Sequence, residues 1–217
     1  ILSIFIMYQV ILQDRKEAGI LLSQKLEKYQ NSDAIILAVP RGGVPIGYEI
    51  SKNLHLPLDI ILSKKIGHPL NKEYAIGAVS LDSTIINQHP DIPKEYIERE
   101  IKHLRESMKD KYNLYMGYRK PANIKGKTVI VVDDGIATGN TLLASIEMLK
   151  KRHPKKIIVA VPVVPFDTVK VFEQNTDEFV YLMAPKDFRG VGRFYETFEQ
   201  VADDEVIRML GVANLIE

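Results

Sequence analysis

Ala34–Val39, Thr128–Val132 and Ile157–Val164 run almost without a polar side chain, are rich in β-branched residues and are too short for core helices. A strand with one wet face alternates apolar and polar residues. Runs that do not alternate must be buried on both sides, which calls for helices covering both faces of a mostly parallel sheet. The amphipathic stretches between the runs supply those helices, so the expected class is α/β, with a central, mostly parallel sheet flanked by helices.

Around these runs the remaining elements follow from periodicity and punctuation. Asp14 is placed to cap a helix reaching about Tyr29, with Ala18, Leu21, Leu22 and Leu26 on one face. Pro40–Pro45 reads as a turn, Ile46–Leu54 as a helix and Leu58–Leu62 as the next strand. Ile66–Tyr74, with Gly67, Pro69 and Asn71, has the composition of a mobile loop. Gly77–Val79 and Thr84–Asn87 read as a β-excursion turning at Leu81-Asp82-Ser83. Pro93 to about Met116 is predicted to be a long helix, with Tyr96, Ile97, Ile101, Leu104 and Met108 at helical spacing and its charges on a solvated face. A helix over Asn140–Arg152, a strand over Phe179–Met183 and a helix from Asp204 to about Leu210 complete the chain. No linker or repeat divides it, so a single domain is expected over residues 7–217.

The 217 residues carry 29 Lys and Arg against 28 Asp and Glu, a net charge of +1 that builds no field to recruit nucleic acid or an anionic membrane. There is no Cys, and His55, His68, His89, His103 and His153 form no His-Glu-x-x-His pair, so a protein-ligated transition metal is not expected. Ile1–Leu12 is apolar but falls short of the roughly 18 residues of a spanning helix. It also lacks the basic start and cleavage site of a signal peptide, and a cytoplasmic protein is expected. Ile1–Ile6 are set aside as an extension upstream of a start at Met7, although a short edge strand there is equally compatible.

The chemistry concentrates in Val129-Ile130-Val131-Val132-Asp133-Asp134-Gly135-Ile136-Ala137-Thr138-Gly139-Asn140-Thr141. Two carboxylates stand at the carboxyl end of a strand, where open α/β sheets place ligands. Gly135 and Gly139 permit tight turns, Thr138 and Thr141 offer hydroxyls, and a helix begins at once, so its unpaired N–H groups favour a phosphate. This suits a phosphorylated sugar. The spacing excludes Walker A, which needs four residues between its glycines and then Lys-Ser/Thr, and no Gly-x-Gly-x-x-Gly is present.

These thirteen residues resemble the signature of the type I phosphoribosyltransferases. Asp14-Arg15 with Ala18-Gly19, Pro40-Arg41-Gly42-Gly43-Val44-Pro45, Lys65-Ile66-Gly67 and Ala75-Ile76-Gly77-Ala78-Val79 are similar to a bacterial and archaeal branch of predicted members. The resemblance implies a three-layer fold with a small hood, formed here by the N-terminal segment and about 184–200. It implies that Asp133 and Asp134 bind the ribose hydroxyls of 5-phosphoribosyl-1-pyrophosphate (PRPP), with Mg²⁺ held by them directly or indirectly. Ala137, Thr138, Gly139, Asn140 and Thr141 would then take the 5′-phosphate. Arg41, Gly42 and Gly43, in a loop that in the family often carries a non-proline cis peptide, would take pyrophosphate together with Lys64 or, preferably, Lys65. Phe188, then Tyr195, would stack on an acceptor base whose edge meets the backbone near Val191.

Position 137 is Ala where members acting on 6-oxopurines carry an Asp that exchanges a proton with the base, so hypoxanthine and guanine are disfavoured as acceptors. No general base is assigned; Glu73, Asp187 and His68 are candidates by position alone. The expected function is transfer of the phosphoribosyl group from PRPP to an acceptor nitrogen, with a homodimer allowed and neither membrane nor nucleic acid as partner. The rival readings are a PRPP-binding regulator without transferase activity and a phosphate-binding domain that has lost activity.

Overall fold

A computed structural model describes residues 11–87 and 91–214; the extension and edge strand considered for residues 1–6 lie outside them. In chain order the elements are α1 (Arg15–Lys25), β1 (Ile35–Ala38), α2 (Gly43–Leu54), β2 (Leu58–Ile60), β3 (Ser63–His68), β4 (Asn71–Ser80), β5 (Thr84–Ile86) and α3 (Lys94–Met116). There follow β6 (Thr128–Val132), α4 (Asn140–Lys150), β7 (Lys156–Val163), α5 (Phe166–Asn175), β8 (Glu178–Met183) and α6 (Asp203–Ala213).

The unbroken apolar runs form the middle of a five-stranded parallel sheet, ordered β2-β1-β6-β7-β8. Ile36 and Ala38 of β1 and Ile130 and Val132 of β6 face a core filled by Leu22 of α1, Ile46 and Ile50 of α2, Met108 of α3 and Leu210 of α6. Their neighbours Ile35, Leu37, Val129 and Val131 face a second core with Leu142 and Ile146 of α4 and Phe172 of α5. Both faces are dry, which is the condition the sequence pattern required.

Helix boundaries follow local chemistry. Asp14 caps α1 as expected, its Oδ1 accepting from the Glu17 N–H at 2.8 Å. The chain leaves the helix after Lys25 and makes a 3₁₀ turn over Glu27–Tyr29 instead of continuing. Helix α2 begins at Gly43, earlier than the expected Ile46, because Pro45 falls in its first turn, where a missing N–H costs nothing.

The expected mobile loop over Ile66–Tyr74 is instead an antiparallel hairpin, β3 with β4, extended by β5 into a second, three-stranded sheet. Two register irregularities, at Ile66/Gly67 and Gly67/His68, break the alternation by which the sequence would have announced it. Gly67 is needed there, since a Cβ would stand 2.5 Å from the Lys72 carbonyl.

Helix α3 is tied to the sheet through one buried carboxylate. Asp59 of β2 accepts from the Tyr112 hydroxyl at 2.9 Å and from the Ala122 N–H at 2.8 Å. Burial and the Asp59 charge push the Tyr112 phenol well above its ordinary value, so it remains a donor. Asp59→Ala would strand a buried hydroxyl and a partly buried N–H, and a loss of about 2–3 kcal/mol is expected in urea unfolding. An unchanged urea midpoint would show that water replaces the carboxylate.

Candidate functional site

Strand order reverses between β1 and β6, the strands leading to helices on opposite faces of the sheet, and at such a switch point the two exit loops part to leave a crevice. The loop leaving β1 is Pro40-Arg41-Gly42-Gly43 and the one leaving β6 opens with Asp133-Asp134. The two loops touch. A Cβ on Gly42 would lie 1.9 Å from Asp134 Oδ2, and one on Gly43 would lie 2.6 Å from the Val132 carbonyl. Only glycine permits that approach. The Pro40–Arg41 peptide is cis, as the resemblance led one to expect.

The acids have different surroundings. Asp133 is half-buried and its Oδ1 accepts from the Asp134 N–H at 2.8 Å. Burial, and then the neighbouring Asp134 charge, hold its carboxyl well above the usual carboxylate range. Asp134 is gripped by Arg15, whose Nε and Nη2 lie 3.0 and 2.8 Å from its Oδ2. Among the described residues no protein group bonds the second oxygen of either acid, so each carboxylate keeps one acceptor for a ligand.

Downstream, Gly139 turns with φ +75° and starts α4, leaving Ala137, Thr138, Asn140 and Thr141 exposed at the positive end of the helix dipole. Across from them stands the β3–β4 hairpin. Thr138, Asn140 and Thr141 line a cleft of about 410 Å³ together with Ser63, Lys64, Lys65, Glu73 and Glu147. Lys65 Nζ bonds Glu73 Oε2 at 2.6 Å, and that ammonium holds the Glu73 carboxyl below its ordinary value. Lys64 turns its ammonium to Ser107 Oγ on α3, 2.9 Å away, so of the two lysines it is Lys65 whose ammonium stays within the cleft.

Arg41 projects toward the N-terminus of α6, with Nη1 3.5 Å from Asp203 Oδ1. Asp203 in turn accepts from the Tyr115 hydroxyl at 2.5 Å. Burial, and then the bond to Asp203, raise that phenol to about 12.

The segment after β8 departs from expectation at one residue. Tyr195 is buried, stacks on Phe198 at 4.9 Å and donates its hydroxyl to the Asp134 carbonyl at 2.8 Å. Its ring is spent on the protein and offers no face to a ligand. Phe188 is partly exposed, with Phe194 stacked at 5.8 Å, and Val191 packs so tightly on the acidic loop that a Cβ on Gly135 would meet it at 2.6 Å. Of the base candidates only Glu73 lines the cleft. His68 sits 3.8 Å from Asp91, and exposed Asp187 pairs with Arg189 at 3.0 Å.

Arg15, Phe198 and Asp203 are the groups the sequence alone left without a role. Only Arg15 carried a signal, as part of the Asp14-Arg15 motif; the others act through long-range contacts that no local pattern encodes. Among the described residues no three His, Asp or Glu gather as a metal cage, and no helix is long and apolar enough to cross a membrane. Two carboxylates, one already paired with an arginine, fit a Mg²⁺ ion that brings most of its oxygen ligands from substrate and water.

The phosphoribosyl transferase domain family matches residues 11–181. The "Putative phosphoribosyl transferase Rv0571c" of Mycobacterium tuberculosis H37Rv is 33% identical over 210 residues, covering 94% of this chain and 47% of its own length. A counterpart from strain CDC 1551, "Putative phosphoribosyl transferase MT0597", matches with the same figures. The chain thus spans about half the length of the curated relatives it matches. The crystal structure of TT1426 from Thermus thermophilus superposes with a TM-score of 0.82 at 33% identity, over 92% of this chain and 97% of that one.

Proposed function

Since the chain belongs to the phosphoribosyl transferase domain family, we propose that it transfers the 5-phosphoribosyl group of PRPP to an acceptor nitrogen and releases pyrophosphate. The observation that carries this reading is the contact of Gly42 with Asp134, which puts a loop able to bind pyrophosphate against a loop able to bind ribose, one turn ahead of a phosphate-binding helix start.

In this reading Asp133 and Asp134 accept from the ribose hydroxyls through their unengaged oxygens. The N–H groups at the start of α4, with the Thr138 and Thr141 hydroxyls, hold the 5′-phosphate. Arg41 and the Gly42–Gly43 backbone take the pyrophosphate by charge-assisted bonds. Cleavage of the bond from C1 to the pyrophosphate oxygen runs ahead of formation of the bond from C1 to the acceptor nitrogen, so positive charge builds on the sugar while the electron pair leaves with pyrophosphate, which also takes up the proton shed by the acceptor nitrogen. The paired carboxylates, taken to face the ribose, would stabilise that charge. Lys65 exchanges Glu73 for a substrate phosphate, and the β3–β4 hairpin helps exclude water. Mg²⁺, held by Asp133 and Asp134 directly or through water, would neutralise charge on the departing pyrophosphate. Phe188 and the backbone near Val191 border the acceptor, which Ala137 makes something other than a 6-oxopurine.

A thermal-shift and pyrophosphate-release screen tests this directly. At about a hundred times its Kd, Mg-PRPP should stabilise the protein by about 2.7 kcal/mol, a rise in Tm of about 5–10 °C for a chain of this size. Pyrophosphate should appear with one acceptor from a panel of purines, pyrimidines and amines, and not with hypoxanthine or guanine. No shift with Mg-PRPP would remove the reading. A shift without release from any acceptor would favour a PRPP-binding regulator.

A further inference from the structure

Arg15 is the most heavily constrained cation in the crevice, its side chain only 12% exposed. Two of its nitrogens converge on one oxygen of Asp134, at 3.0 and 2.8 Å, and the third donates to the Glu199 carbonyl at 2.8 Å. The Phe198 ring covers the guanidinium, 3.9 Å from its central carbon to the ring centroid. Phe198 is fixed in turn by Tyr195, whose hydroxyl holds the Asp134 main chain. Asp134 is therefore clamped at its side chain by Arg15 and at its backbone by Tyr195, two groups joined through the Phe198 ring.

A carboxylate with one oxygen locked in this way presents the other in a single direction. We propose that Arg15 is a positioning residue that fixes Asp134 for recognition of the ribose, and that the Tyr195–Glu199 segment completes the sugar site by holding Arg15 in place. This rests on the phosphoribosyl reading above. It goes beyond it by assigning part of the sugar affinity to a residue that need not touch the sugar. Orientation lost in this manner commonly costs 10- to 100-fold.

Titration calorimetry on Arg15→Met, which keeps the aliphatic stem, and on Arg15→Lys, which keeps the charge without the fork, separates positioning from bulk structure. Arg15→Met is expected to weaken Mg-PRPP by about 10- to 100-fold, and Arg15→Lys to restore only part of the loss. Metal-free pyrophosphate, which in this reading relies on Arg41 and the Gly42–Gly43 backbone and not on the acidic pair, should change less than about threefold. In an Asp134→Asn background Arg15→Met should add no further loss. Wild-type PRPP affinity in Arg15→Met, equal losses for PRPP and pyrophosphate, or additive losses in the double variant would each overturn the assignment. Wild-type protein indifferent to Mg-PRPP would remove the functional reading and this assignment with it. If Arg15→Met does not fold, Phe198→Leu carries the same test, with a several-fold loss for PRPP alone as the supporting result.

Discussion

Asp133→Asn is expected to weaken Mg-PRPP about 100-fold, or about 2.8 kcal/mol, near the upper range for a hydrogen bond to a charged group. The same change should raise the melting temperature of the ligand-free protein by a few degrees. Asp133→Asn with Asp134→Asn should leave no measurable binding. The stability gain follows from burial and from the adjacent Asp134 charge, which together raise the Asp133 carboxyl. The unfolded chain releases this proton near pH 3.9 while the folded protein still holds it. Folding is thus favoured fully below that pH, and the contribution is lost as pH rises through the higher folded value. An amide of nearly the same shape never ionises. Melting curves of wild type and Asp133→Asn should therefore converge near pH 3 and separate as pH rises toward 8, with the variant the more stable. Parallel curves would show that Asp133 carries no such burden. A gain in stability paired with a loss of ligand marks a residue kept for function.

The second large effect concerns neighbouring glycines that should fail in different ways. Gly43→Ala would place a methyl 2.6 Å from the Val132 carbonyl and 3.0 Å from Asp133 Cα. Both are main-chain atoms of the central strand and its exit, so a loss of about 2–3 kcal/mol is expected in urea unfolding. Gly42→Ala would meet a side chain instead, Asp134 Oδ2 at 1.9 Å. That oxygen can be displaced only by disturbing its bonds to Arg15, so Gly42→Ala should lose about 1 kcal/mol or less of stability and at least tenfold in PRPP affinity. Equal urea midpoints for the two variants would contradict the distinction between a main-chain and a side-chain obstruction.

The central sheet was legible because β1, β6 and β7 are buried on both faces, and sequences under that constraint have little freedom. The acidic pair and the Thr-Gly-Asn-Thr turn were legible because strand, acids, glycines and helix start are contiguous, so local sequence encodes local geometry. The hairpin was not. Its outer residues Asn71–Ala75 are exposed and its register is irregular at Gly67, so no clean period of two survives. Helix α5 is equally hard to read, although Phe166, Val169 and Phe172 recur every third residue after Pro165; ten residues are few for the pattern to stand out. Tyr195 differs from expectation because an aromatic beside a crevice reads alike whether it faces the ligand or the core, and only the tertiary contacts decide.

The bond between Arg15 and Asp134 spans 119 positions of sequence, and the one from Arg15 to Glu199 spans 184. Leu12 pairs with Tyr195 in the same corner. During synthesis the five-stranded sheet is complete once β8 has emerged, yet the crevice still lacks Tyr195, Phe198 and Asp203. A nascent chain of that length holds the scaffold with Arg15 and Asp134 in place but without the Tyr195–Glu199 segment that covers them, and the crevice is completed only when that segment folds back onto residues made much earlier.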